Sequence, residues 1–472
     1  MRALLLTAVA AAVLSACAVP GGTVHETPAL ELPQATATVP PVAPDWWKQF
    51  GDAQLDVLVD EALKNNRDLA RAMARIDESR AALRSARAGQ LPSVNANLTG
   101  ARARASQNGA VPLGDASPVG NSYQATLGIA YELDLWAKAA NATSAAREEL
   151  LASEYGRETL RTALVAQVVQ SYAALQSLDA QRSLFGQAVD AQRDSLRLQQ
   201  LRFKGGDIGE LDIRQLEAEL LANEALLPKL DRARGEAERA LSLVLGRSPR
   251  ALIEGAVARS TTRPVVIASP LPAGLPSDLL LRRPDVQAAE ARLRAAGARV
   301  DAARAAYFPS IALTADVGRE SVALSRLTDG PSLIWSVVAS LTQPIWNGGR
   351  IDALNEAARA RRMQAELDYR DSVANAFKEA RDALAAHEEA RASLQTGQQR
   401  AQALVRAADL TRLRYQGGEA SRLNVIEAER AALTAQAQNA DTQRALAAAQ
   451  ADVFRALGGG WATTEQRGAA GQ

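Results

Sequence analysis

Side chains able to do chemistry are few in this sequence, and their spacing argues against a catalytic centre. There is one cysteine, Cys17, and there are two histidines, His25 and His387, among 472 residues. His25 sits in a proline-rich stretch, and His387 follows Leu384 by three on a helical stripe. Near an offset of 209 His387 matches the apolar Leu178, which suits a packed interface histidine better than a ligand. No nucleophile, metal-ligand or phosphate-binding motif surrounds any of them. Most acids lie along helices close to bases, as on solvated faces. Asp212 and Asn424 stand apart because they are 212 positions from each other beside two Gly-Gly pairs, and Glu427 follows Asn424 by three, on the same helix face. Carboxylates just past a helix start also suit the helix dipole, so an ordinary surface role stays open.

The cysteine has a different chemistry. Met1-Arg2 and the apolar Ala3–Leu14 form a signal peptide too short to span as a mature helix, ending in Leu14-Ser15-Ala16-Cys17. This resembles a bacterial lipobox, in which the thiol is joined to diacylglycerol. The alternative is an A-x-A cleavage site at Ala16-Cys17-Ala18 with an idle thiol. Acyl chains at ~0.8 kcal/mol per buried methylene would hold the chain on a bilayer. Pro20, Pro28, Pro33, Pro40, Pro41 and Pro44 make the following segment an extended tether.

The elements that must position these residues are long helices. Ala137–Phe203 contains no proline and only Gly156 and Gly186, and at 1.5 Å per residue it reaches roughly 100 Å. Leu160, Leu164, Val168, Tyr172, Leu175 and Leu178 form its apolar stripe. The run stops at Arg202-Phe203-Lys204-Gly205-Gly206, where glycine can supply a positive φ, and a second helical run is expected from Asp207 to Leu245. Arg414-Tyr415-Gln416-Gly417-Gly418 repeats this tip and Leu457-Gly458 repeats Leu245-Gly246, both at an offset of 212, while Trp346 repeats Trp136 at 210. Asp68–Pro92 matches Asp285–Pro309 at 217. The chain is therefore an internal duplication of about 200 residues.

Each half also carries two segments of period two. Tyr123, Ala125, Leu127, Ile129, Tyr131 and Leu133 alternate with Gln124, Thr126, Gly128, Ala130 and Glu132, and Leu333, Trp335, Val337, Ala339 and Leu341 alternate similarly. Val94, Ala96 and Leu98, and Ile311, Leu313, Ala315 and Val317, supply the other two. This is the transmembrane-strand pattern, with Tyr131, Trp136, Trp335 and Trp346 as interfacial aromatics; a soluble sheet covering helices is the alternative. Four strands cannot close a barrel, because an open edge is forbidden in hydrocarbon, so neighbouring chains must complete it. No apolar run of 18 residues follows the N-terminus, which excludes a helical span. Without Arg2 the chain carries 53 bases and 53 acids, a balance that argues against nucleic acid as a partner.

The expected boundaries are a signal peptide over 1–16, a lipid-anchored tether over 17–44, and a first repeat over 45–250, with strands at about 93–134 and a hairpin over 137–245. A connecting segment over 251–277 leads to a second repeat over 278–457, with strands at about 310–343 and a hairpin over 350–457, and then a tail over 458–472.

Asp45-Trp46-Trp47-Lys48-Gln49-Phe50-Gly51-Asp52, Leu275-Pro276-Ser277-Asp278-Leu279-Leu280 with Arg282-Arg283-Pro284-Asp285, Tyr307-Phe308-Pro309-Ser310-Ile311 and Gln343-Pro344-Ile345-Trp346-Asn347-Gly348-Gly349-Arg350 resemble the TolC-like outer-membrane channel family, in its NodT-type lipoprotein branch. The resemblance implies a homotrimer with a twelve-stranded β-barrel, four strands per chain, continued by a twelve-helix periplasmic α-barrel. It implies a passive exit duct of a tripartite efflux pump, with no cofactor or metal. Its partners would be outer-membrane lipid, a periplasmic adaptor and an inner-membrane transporter docking at the tips. Asp212 and Glu427 would then form carboxylate rings at a constriction, favouring cations, with Asn424 a neutral amide where the family has an acid. Arg202, Arg414 and Tyr415, with Gly205, Gly206, Gly417 and Gly418, would tie neighbouring hairpins in the closed state, although capping by the arginines fits nearly as well. A periplasmic adaptor, with a single hairpin between β-rich domains, and a lipoprotein enzyme are the competing readings.

Overall fold

The computed structural model describes residues 28–30, 42–106, 117–260, 265–267 and 280–460. The expected signal peptide, Cys17, His25, most of the tether, much of the connecting segment, the Leu275–Leu279 stretch and the tail beyond residue 460 lie outside the described residues.

After a 3-10 turn (Trp46–Phe50) come helices α1 (Ala53–Asn65) and α2 (Arg67–Ala88), strands β1 (Ser93–Arg104) and β2 (Val119–Leu133), the long helix α3 (Lys138–Lys204), and then α4 (Glu210–Glu224), α5 (Leu227–Val244) and α6 (Pro249–Glu254). The second half runs α7 (Pro284–Ala305), β3 (Ser310–Ser321), β4 (Leu333–Thr342), α8 (Arg350–Gln416) and α9 (Arg422–Ala456). Helices α3 and α8 both have 67 residues, and α2 and α7 both have 22, so the duplication holds for these two helix pairs. At the offset of 212 that relates α3 to α8, His387 corresponds to Leu175 rather than to Leu178. Leu175 is fully buried and His387 nearly so.

One expectation is corrected. The first return arm is not a single helix over 207–245 but breaks between α4 and α5, where Pro228 lies in the first turn of α5. Proline has no N–H to give to the preceding turn, and its ring crowds the carbonyl four residues back.

The chain divides into two compact units. The first consists chiefly of Ile76–Ser153 and Ala289–Tyr369 and contains one antiparallel sheet in the order β1-β2-β3-β4. The register aligns the apolar alternation of all four strands: Val94, Ile129, Ala315 and Val337 form one cross-strand row, and Ala96, Leu127, Val317 and Trp335 the next. Trp335 and Val337 are largely exposed within the chain, so among the described residues nothing in this unit covers that face. At the helix-bound end, Trp136 stacks on Phe308 with ring centroids 4.9 Å apart and donates from Nε1 to the Pro309 carbonyl at 2.6 Å. The carboxylate of Asp134 accepts from the backbone N–H of Ala139 and Ala140, satisfying orphan donors at the start of α3.

The second unit, Leu30–Arg75, Glu154–Ala288 and Arg370–Gln472, holds the main core. Leu164, Val168, Tyr172 and Leu175 of the α3 stripe meet Leu55, Val59, Leu241, Leu245 and Phe454 there, and Trp46 stacks on Phe454 at 4.7 Å. The described parts of the connecting segment have no ladder to join, so side chains satisfy their backbone. Glu238 accepts from Val257 N, Tyr172 Oη from Ser260 N, and Gln176 Oε1 from Val265 N. Gln450 both accepts from Ile267 N and donates to its carbonyl. Burial pushes the Tyr172 phenol up to about 12, so it remains a donor to Asp52.

Candidate functional site: the paired helix tips

Both long helices end in the same hydrogen-bonded turn. At the first tip Asp207 N donates to the Arg202 carbonyl and Gly206 N to that of Phe203; at the second, Glu419 N donates to Arg414 and Gly418 N to Tyr415. These paired bonds close a helix only if the intervening residue is left-handed. Gly206 (φ +82°) and Gly418 (φ +79°) take that role, while Gly205 and Gly417 do not need it.

Beyond the turns the tips differ. Helix α9 opens with a reciprocal cap: Ser421 Oγ accepts from Asn424 N, and Asn424 Oδ1 accepts from Ser421 N at 3.0 Å. The Asn424 amide is therefore engaged in its own helix start. Helix α4 starts at Gly209 with no side-chain cap, and Asp212 lies half-buried in its first turn beside Glu210. Glu427 is exposed one turn after Asn424.

The two hairpins meet through side chains that the sequence did not single out. Glu219 is buried on α4, on the same face as Leu216, Leu220 and Asn223. Its carboxylate takes hydrogen bonds from Arg430 of α9, with Nε 3.1 Å from Oε2, and from Asn223 Nδ2. The hydrogen bond to Glu219 holds the Arg430 guanidinium above its ordinary pKa. Arg422 donates from Nη2 to Ser195 Oγ of α3 at 3.0 Å and lies over the Tyr415 ring, 5.5 Å from its centroid. Within the second hairpin Arg412 pairs with Glu429 at 2.8 Å. The one available signal was Glu219 itself, a carboxylate on an apolar helical stripe, which demands a partner.

Between the hairpins runs a groove of about 1070 Å³ lined by Arg202, Glu219, Arg412, Tyr415, Arg422 and Glu429, among others. Of the residues expected at the tips, Arg202, Tyr415 and Gly418 border it; Asp212, Asn424, Glu427, Arg414, Gly205, Gly206 and Gly417 do not. Arg414 instead lies 3.6 Å from Glu419 with both side chains exposed, a pair worth little. Among the described residues there is no group of three or more His, Cys, Asp or Glu placed to hold a metal ion, and no helix long and apolar enough to cross a membrane.

The sequence pattern of the outer membrane efflux protein family matches residues 58–247 and 275–459, one stretch per repeat. The outer membrane protein OprJ of Pseudomonas aeruginosa is 37% identical over 88% of this chain and 86% of its own length. The probable outer membrane lipoprotein SilC of Salmonella typhimurium is 32% identical over 88% of each. The crystal structure of the Campylobacter jejuni CmeC outer membrane channel superposes with a TM-score of 0.87 at 26% identity, covering 94% of this chain and 97% of that one. With both repeats matched and near-full-length relatives above 30% identity, the chain belongs to the outer membrane efflux protein family.

Proposed function

We propose that this protein is the outer-membrane exit duct of a tripartite efflux pump, a passive channel that receives substrates from an inner-membrane transporter through a periplasmic adaptor. The observation that carries this reading is the sheet: four strands, two open edges and one uncovered apolar face. In hydrocarbon such edges must be paired, and three chains would close twelve strands into a barrel. The relatives are efflux and outer-membrane channel proteins rather than enzymes, and two hairpins alternating with two strand pairs do not suit an adaptor, which carries one. Cys17 would carry the acyl anchor. Fractionation tests the reading: a heat-labile trimer extracted from outer membranes only by detergent supports it, and a water-soluble monomer overturns it.

The tips would be the gate. In a trimer Asp212 and Glu427 would repeat three times around the axis, where like charges in a constriction favour cations. Arg202, Arg414, Tyr415 and the two glycine pairs would hold the hairpin ends and receive the adaptor. Replacing Asp212 and Glu427 together with alanine should raise single-channel conductance in planar bilayers and weaken block by divalent cations. Unchanged conductance would remove the acids from the constriction.

A further inference from the structure

The strand register sorts the sheet's charges by face. On the apolar face the charged side chains are Arg102, Arg104 and Arg319, with no carboxylate; on the other they are Glu132, Asp316 and Glu320, with no base. All three arginines lie in the half of the sheet next to the strand connections, level with Val119, Asn121 and Ala125 of β2. Arg104 opposes Val119, Arg102 opposes Asn121, and Arg319 opposes Leu333, next to the β1–β2 and β3–β4 connections and away from the ends that lead into α3 and α8. Past the row of Arg319, which pairs with Ala125, the face is apolar from Leu127 to Leu133 on β2, about 20 Å at ~3.4 Å per residue, within the ~25 Å apolar band of a membrane barrel. Arg102 and Arg104 are exposed, and Arg319 is fixed against the β3–β4 connection by hydrogen bonds to the Thr328 and Asp329 carbonyls.

We propose that Arg102, Arg104 and Arg319 bind the phosphates of a phosphorylated lipid in the outer leaflet of the bilayer. This rests on the channel reading above, in which the apolar face meets lipid and the helices lie on the periplasmic side. A partner for this surface must present apolar chains along the strands and anionic groups at their far end, which a phosphorylated lipid does and a soluble acidic protein does not. Guanidinium is the matching group, since its planar fork donates in pairs to phosphate oxygens while its stem lies along apolar surface. The opposite, acid-bearing face repels the same headgroup, so the lipid is confined to the outer surface.

The test uses the full-length protein in phosphatidylcholine nanodiscs doped with diphosphorylated lipid A or with the same lipid enzymatically dephosphorylated. Native mass spectrometry reads the lipid retained. Wild type is expected to retain the phosphorylated form on the order of tenfold better, R102Q/R104Q/R319Q to lose that preference, and millimolar inorganic phosphate not to displace it. Equal retention of the two lipids, or equal retention by wild type and variant, overturns the proposal. So does displacement by inorganic phosphate, which would make the ligand a soluble anion, or an acidic protein holding the arginines in the purified material. Fractionation of the same protein separates the two claims: a heat-labile, detergent-extracted trimer without lipid preference defeats only this proposal, and a water-soluble monomer defeats the channel reading. Should the triple variant fail to assemble, R102Q/R104Q, which leaves the Arg319 hydrogen bonds in place, gives the same comparison.

Discussion

The first hairpin returns from its tip through two helices, α4 and α5, whereas the second returns through α9 alone, 35 residues without a break. Pro228 stands where the second repeat has Ala440, at the offset of 212 that relates the long helices. The starts differ too, since Ser421 and Asn424 cap α9 while Gly209 leaves α4 without a side-chain cap. The four turns that end α3, α8, α5 and α9 nevertheless match, each with a left-handed glycine: Gly206, Gly418, Gly246 and Gly458. Duplication has kept these helix-ending turns, while the return arms differ, one broken and one continuous. Glu219 on the jointed arm is bonded to Arg430 on the continuous one, so the two hairpins are tied to each other at this point.

The largest contrast should come from the paired turns at the roots. A Cβ at Gly246 would lie 2.1 Å from the Asn65 carbonyl oxygen, at φ +76°, whereas one at Gly458 would meet Arg283 at ordinary van der Waals distances, Cγ at 3.5 Å and Cα at 3.8 Å. Gly246→Ala is expected to cost about 3 kcal/mol or more and Gly458→Ala about 1–2 kcal/mol, read by urea unfolding in detergent. Comparable losses would mean the two turns are packed alike.

Next, Arg430→Ala should cost about 2 kcal/mol by leaving the Glu219 carboxylate buried without its guanidinium. If this pair ties the two hairpins, Glu219→Ala combined with Arg430→Ala will destabilise less than the two single changes added. Additive losses would dissolve it.

His387→Leu gives the second hairpin what the first has at Leu175. His387 Nδ1 is buried without a hydrogen-bond partner, so the change should stabilise by about 1 kcal/mol. Burial, reinforced by Arg391, holds the imidazole below its ordinary pKa of 6.5. The unfolded chain therefore takes up this proton first as pH falls, and wild type should lose stability below about pH 6.5 down to the lowered folded value. The leucine variant should show a flatter thermal-stability profile over that window. The smallest effects belong to the caps: Ser421→Ala should cost about 1 kcal/mol, and Gly209→Ser should gain a few tenths, read as local hydrogen-exchange protection at each helix start.

Much of this fold was legible because its signals are local and repeated. The glycine pairs, the period-two segments and the matched halves needed no knowledge of what packs where. The break at Pro228 was equally local and passed unnoticed among good helix formers. The tip contacts were less legible. Asn424 stands out in the sequence as the counterpart of Asp212 at the offset of 212, and nothing in that offset shows that Ser421, three residues earlier, pairs with it as a cap. Arg422 and Arg430 look like any other helix arginine until Ser195, Tyr415 and Glu219 are brought beside them.

The sequence by itself determined which segments are helix and which are strand, where the long helices stop and that the unit occurs twice, because periodicity, proline and left-handed glycine act over a few residues. Only the tertiary structure decided which charges find partners and which face of the sheet carries arginines and which carboxylates. Those outcomes depend on strand register and helix rotation, where a shift of one residue moves a side chain to the opposite face.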